Sequence, residues 1–350
     1  MRDSQGPRTL RFKTILPALV CAASTLPGCA PPQGRIDLLR QVQESGQDVP
    51  APALASGVRL RQQHSSGGLG ENLFPILSPS GKEVYYSSSR HSERLSIVRK
   101  TLGTAPVTEF TSGPGHDIHP APSPDGRRLA FSSNREGTWS LYLLEASGEK
   151  PLRRISDGGE DCFAPSWAPD SRRIVHFRRG ARSGGWEVWI LDAEAGTSTY
   201  LRNGLFPVWS PAGEDGEWIA FQTASGQGEG WYTIWKMRPD GSQPTQLTFN
   251  EAWGAVHPTW SPNGAWLAFA SVGKSPEARG VIPGMAVRAD DIYLMTAAGT
   301  QVTNVTGDRA GISEWNPSFG SDGRIYFNSD EGGGVNVWSI DPGVGPGVSR

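Results

Sequence analysis

Six short runs along the chain share one pattern of apolar and polar positions: EVYYSSS, RLAFSSN, RIVHFRR, EWIAFQT, WLAFASV and RIYFNSD. β-Branched and aromatic residues alternate there with small or polar ones, the period of two that belongs to a pleated strand. Each run follows a segment that couples a lead proline to a turn: FPILSPSG from Phe74, HPAPSPDG from His119, APSWAPDS from Ala164, FPVWSPAG from Phe206, HPTWSPNG from His257 and NPSFGSDG from Asn316. In such turns Pro presets φ, Asp or Asn tolerates the strained positions, and Gly accepts φ > 0, which predicts a tight hairpin. A third run comes next, as in RLSIVRK, WEVWILDA and DIYLMTAAG, and a weaker fourth closes the unit, as in PVTEFTS and PTQLTFN. No segment beyond the amino terminus carries a sustained helical apolar stripe.

The lead prolines, Pro75, Pro120, Pro165, Pro207, Pro258 and Pro317, stand 45, 45, 42, 51 and 59 residues apart. A period in the forties marks an array whose units cannot bury an apolar face alone. Four antiparallel strands per unit, repeated radially, predict an all-β six-bladed β-propeller over residues 57–342, followed by a tail at 343–350. The sixth unit runs out at Trp338–Pro342 after three strands, while VRLRQQHSSGG from Val58 reads as an orphan fourth strand. Pairing of the two would close the ring without a free edge; the alternative is an open sixth blade.

These features resemble the TolB-like six-bladed propeller family. The resemblance rests on the repeated P-x-[WF]-S-P-[DNS]-G turn, the [LI]-[AY]-F-x-S strand and the strand Asp291–Met295, and it covers roughly Gly57 to Pro342. It implies the fold, while members of the family differ widely in activity. TolB carries a separate α/β domain ahead of its propeller, and the stretch between Cys29 and the first strand leaves no room for one, so a Tol–Pal role is not carried over.

The amino terminus holds Arg2, Arg8, Arg11 and Lys13 against Asp3, then an apolar run from Ile15 to Leu26 interrupted by Pro17. The run is too short to span a bilayer and fits the core of a signal peptide at 1–28. Leu26-Pro27-Gly28-Cys29 resembles the bacterial lipobox, which implies acylation of Cys29 and cleavage before it; the alternative is an ordinary secretory signal. Several acyl chains anchor a protein stably where one does not. Ala30 after the cysteine favours, by the same resemblance, an outer-membrane lipoprotein facing the periplasm. Residues 29–56, with PPQG and VPAPALASG, read as the lipidated cysteine and a flexible tether.

Composition narrows the partners. With 33 basic against 35 acidic residues, the chain offers no electrostatic footprint for nucleic acid. Of its cysteines, Cys21 falls in the signal, Cys29 carries lipid and Cys162 stands alone, so the processed chain has no intramolecular disulfide and Cys162 is expected to be buried between blades. Trp167, Trp209, Trp260, Trp189, Trp235 and Trp338 occupy repeat positions and read as packing between blades.

Strand alternation puts the Ser-Pro-Asp-Gly turns on one face and the irregular loops on the other. The irregular face collects GPGHDIH, GGEDCFA, NEAWGAVH and DRAGISEWN, together with the blade-five insertion SVGKSPEARGVIPGMAVRADD. The residue before each lead proline is expected near the mouth of the channel, so His119, His257 and Asn316 line it. The binding residues expected from this reading are His119, Glu251, Trp253, His257 and Trp315, around a loop-built mouth. His116 and His119 could supply two metal ligands, and a divalent ion in the channel is the one cofactor left open; otherwise none is expected. No His-Glu-x-x-His, Cys-x-x-Cys or Gly-x-Ser-x-Gly motif is present. The expectation is a monomeric, non-enzymatic envelope lipoprotein that binds a protein or peptide. The alternative is a hydrolase or lyase acting on a sugar, lactone or peptide in the channel.

Overall fold

The hairpin motif closes on itself through its first serine. In blade one, Ser78 N–H donates to the Glu83 carbonyl (2.7 Å), Gly81 N–H donates to the Ser78 carbonyl (2.9 Å), and Ser78 Oγ accepts the Glu83 N–H (3.1 Å). Ser123 and Ser261 repeat the arrangement with Arg128 and Trp266. The fourth turn residue adopts a left-handed φ of 71° at Gly81 and 70° at Gly126, a region that costs glycine nothing. Blade three has Ser171 in that slot at φ 56°. Its hydroxyl accepts the Asp125 N–H of the neighbouring turn (3.1 Å), which gives the serine a reason to be there.

These hairpins build six four-stranded antiparallel sheets, and the described residues contain no helix. The computed structural model describes residues 61–65, 70–147, 151–157, 159–180, 183–224, 232–249, 253–273, 291–307, 309 and 311–343. The signal, Cys29, the tether, Glu251 and residues 274–290 of the blade-five insertion lie outside them. The inner strands are Asn72–Leu77, Asp117–Pro122, Cys162–Trp167, Leu205–Trp209, Trp253–Trp260 and Glu314–Phe319. In blades one to five the remaining strands follow outward in chain order.

The sixth blade takes its outermost strand from the other end of the chain: Arg61–Gln63 pairs with Asn336–Ile340. His64 N–H extends the pairing to the Val337 carbonyl (2.8 Å). Arg61 lies over the rings of Phe327 and Trp338 and reaches Glu314 (2.6 Å) and Glu331 (3.0 Å). The exposed edge of the last blade is thereby covered.

Blades are joined by an apolar cluster running through all six inner strands, with Leu73, Ile118, Phe163, Leu205, Val256 and Trp315 all buried. A polar seam runs beside it. Ser132 Oγ, Gln222 Oε1 and Asn328 Oδ1, on second strands, accept backbone N–H groups of the next inner strand, from Ala164 (3.2 Å), His257 (2.8 Å) and Phe74 (3.0 Å). Trp167 and Trp260 donate their indole N–H to Ala121 and Val208 carbonyls of the preceding blade, so they do serve as inter-blade packing. Cys162 is fully buried, and burial pushes its thiol up to about 12, leaving it inert.

Asn328 works hardest in this seam. It also donates to the Asn72 carbonyl (2.7 Å) and accepts from Asn316 Nδ2 (3.1 Å), with no exposed surface. Asn328→Leu leaves two buried backbone groups unpaired, each costing about 1–3 kcal/mol, so urea denaturation should show a loss of roughly 3 kcal/mol. Ser87, the matching residue of blade one, has a hydroxyl without a partner, and Ser87→Ala should change stability by less than about 0.5 kcal/mol.

Candidate functional site: the axial channel

Every inner strand carries the same irregularity. In blade one Leu73 and Ile76 face Ser87 and Tyr85, three steps on one strand against two on the other, and the other five blades repeat this shift. The extra residue is a β-bulge, which bends a strand and re-aims a side chain. Its first residue is the one before the lead proline, and all six take a left-handed φ: Phe74 55°, His119 54°, Ala164 48°, Phe206 46°, His257 53° and Asn316 50°. His and Asn are enriched in this region, whereas bulky Phe is an outlier held there by its surroundings.

The six residues converge on the axis. Phe74 and His119 have ring centroids 4.1 Å apart, His119 and Phe206 6.0 Å, and Phe206 and His257 4.3 Å. From this floor a cavity of about 280 Å³ extends along the strands toward the Ser-Pro turns, reaching Pro124. Its walls are the six lead prolines with Pro122, Trp167, Trp209, Trp260 and Phe319. Ser166, Thr259, Asn316, Ser318 and the two histidines supply the polar side chains, and among the described residues no Asp, Glu, Lys or Arg lines it.

Both imidazoles are neutral at ordinary pH. Burial, reinforced by neighbouring His257, lowers His119 to about 3, and burial lowers His257 to about 4. Both ring nitrogens of His119 and Nδ1 of His257 are sealed from solvent without a hydrogen-bond partner. The hydroxyls of Ser166 and Thr259 accept the backbone N–H groups of Trp209 (3.0 Å) and Phe319 (3.3 Å) across blade seams.

Of the residues expected to bind, His119 and His257 meet at the floor with Asn316. Trp315 does not join them; it is buried in the core between blades. Trp253 stacks on Tyr293 at 4.9 Å and Phe269 at 5.7 Å in a separate cluster, a packing role within blade five. Glu251 lies outside the described residues. His116 and His119 are separated in use: His116 Nδ1 accepts the Leu95 N–H (3.1 Å), while intervening Asp117 is buried against Arg135 (2.8 Å). Among the described residues no three His, Cys, Asp or Glu side chains converge to hold a metal ion. The described cavity also lies on the side of the Ser-Pro turns, not of the irregular loops. Phe74 and Phe206 were missed as site residues, although their place before a lead proline is the signal that singled out His119.

Six blades around an axial cavity floored by six bulge residues define a six-bladed β-propeller. The sequence pattern of the TolB beta propeller domain matches residues 57–285, and the chain belongs to that family. Its structure is similar to a protein assigned as TolB from Agrobacterium tumefaciens (TM-score 0.58, 24% identity, 77% of this chain and 90% of that one). It is also similar to TolB from Acinetobacter baumannii (0.53, 19%, 71% and 57%) and to oligogalacturonate lyase from Vibrio parahaemolyticus (0.51, 14%, 82% and 98%). At these identities the likeness shows the fold. None of the curated proteins matches the chain. No helix among the described residues is long and apolar enough to cross a membrane.

Two measurements test the site's physics. Ala164 gains nothing from its left-handed φ, so Ala164→Gly should raise stability by about 1 kcal/mol in urea denaturation. The histidines set a pH dependence. Unfolded imidazoles take up protons as pH falls through about 6.5, whereas the folded ones resist until about 4 or below. Stability should therefore be full above pH 7 and fall between pH 6.5 and 4, by about 1.4 kcal/mol for each unit of pKa lowering. The His119→Phe/His257→Phe variant should show a shallower fall over that window, measured from urea midpoints at matched pH.

Proposed function

We propose that this chain is an envelope lipoprotein whose propeller binds a protein or peptide partner and performs no reaction on it. Acylated Cys29 anchors it in the outer membrane on the periplasmic side, residues 29–56 act as the tether, and the propeller works as a monomer. The lipobox-like Leu26-Pro27-Gly28-Cys29 and the basic, apolar leader support the anchor. Membership of the TolB beta propeller family supports a protein-binding propeller.

The observation that carries the reading is the lining of the axial cavity: prolines, aromatic rings and neutral imidazoles, without one charged side chain among the described residues. Apolar, concave surfaces with few polar groups recognise and anchor. Hydrolysis or elimination needs an activated nucleophile or an acid–base pair facing the substrate. Here the hydroxyls of Ser166 and Thr259 are engaged by backbone N–H groups, which favours binding over the hydrolase or lyase alternative.

Affinity capture from envelope extracts with the full chain tests this, beside His257→Ala and Trp253→Ala. A partner retained by the parent and by Trp253→Ala, but reduced at least tenfold with folded His257→Ala, is the expected result. A partner lost only with Trp253→Ala would move the site to blade five, and no specific partner for any chain would overturn the reading.

A further inference from the structure

The lining also restricts what part of a partner can enter. Uncharged walls in a desolvated site give a carboxylate, ammonium or phosphate no counter-charge, and burying an unpaired charge is prohibitive. The Phe74–His119–Phe206–His257 row crosses the axis at the floor, so a guest ends there. The volume of about 280 Å³ suits a single side chain; a cavity of about 150 Å³ already holds benzene. Eight proline rings and the large rings of Trp167, Trp209, Trp260 and Phe319 line it, and aromatic guests pack well against such apolar faces. At the floor, three imidazole nitrogens lack partners, an unusual deficit for buried polar atoms.

Resting on the protein-binding reading above, we infer that the axial cavity receives one uncharged aromatic side chain carrying a hydroxyl, a tyrosine projected by the partner from the Ser-Pro turn face. The phenol ring lies among the prolines and Trp167, Trp209 and Trp260. Its hydroxyl exchanges a hydrogen bond with an imidazole of the floor, whose broad χ2 torsion lets the ring turn to meet it. Phenylalanine fits the same space but leaves the nitrogens unsatisfied.

The test is direct titration of the full chain with N-acetyl-tyrosinamide, N-acetyl-phenylalaninamide, N-acetyl-O-phosphotyrosinamide and N-acetyl-lysinamide, followed by ligand-observed NMR. Tyrosinamide should bind about tenfold more tightly than phenylalaninamide, the worth of one hydrogen bond, and the two charged probes should not bind. The preference for tyrosinamide should vanish in His257→Phe or His119→Phe, with phenylalaninamide binding retained as the sign of an intact cavity. Absence of tyrosinamide binding, equal binding of a charged probe, or an undiminished preference in both folded variants overturns the inference. A chain that captures its partner through His257 yet ignores tyrosinamide overturns this inference alone. A chain that binds tyrosinamide but captures no partner overturns the protein-binding reading instead.

Discussion

One extra residue in each inner strand sets the geometry of the molecule's centre. A regular strand would continue its alternation past the lead proline. The bulge interrupts it, placing the residue before the proline in a left-handed conformation with its side chain toward the axis. Proline reinforces the arrangement, since its missing N–H removes a ladder donor where the pairing is already broken. Six copies of this local solution make the floor, the proline wall and the cavity between them. The conformations of Phe74 and Phe206 are held against their own preference, Phe74 by the His119 ring and the Asn328 bond to its N–H, and Phe206 by the rings of His119, Phe177 and His257, which ties strain at the site to packing around it.

The seams between blades follow the same logic of satisfied groups. Ser132, Gln222 and Asn328 on second strands each take the backbone N–H of the next blade's bulge residue, whereas Ser87 at the same register position does not. Blades three and five place Phe177 and Ala270 at that register position and rely on apolar contact. The last blade combines several such bonds: Asn328 reaches Phe74 and Asn72 of blade one and accepts from Asn316 of its own blade, and Arg61 and Arg309 converge on buried Glu314. That concentration falls in the blade that the chain's two ends build together, where no covalent connection joins the outermost strand to its neighbour.

Charge is kept off the described lining of the cavity. Ion pairs such as Asp117 with Arg135 and Glu314 with Arg309 form on or beside inner strands without lining it, and among the described residues its polar side chains are all neutral. Desolvation therefore acts on the two imidazoles without an opposing carboxylate, keeping them neutral.

The sequence alone determined the blades. Turn chemistry, period-two runs and the spacing of the lead prolines are local signals that act within a few residues, and they specified six units and an orphan strand in the stretch from Val58, which the structure bounds as Arg61–Gln63 and pairs with the last blade. They also singled out His119, His257 and Asn316 by their place before a proline. Only the tertiary structure decided the rest. Trp253 and Trp315 look like loop aromatics in the sequence, but packing against Tyr293 and Phe269, and into the core between blades, takes them from the channel. Which side of the floor the cavity occupies, and that no charged side chain stands in its described lining, depends on side chains from six blades meeting across an axis that no single repeat contains.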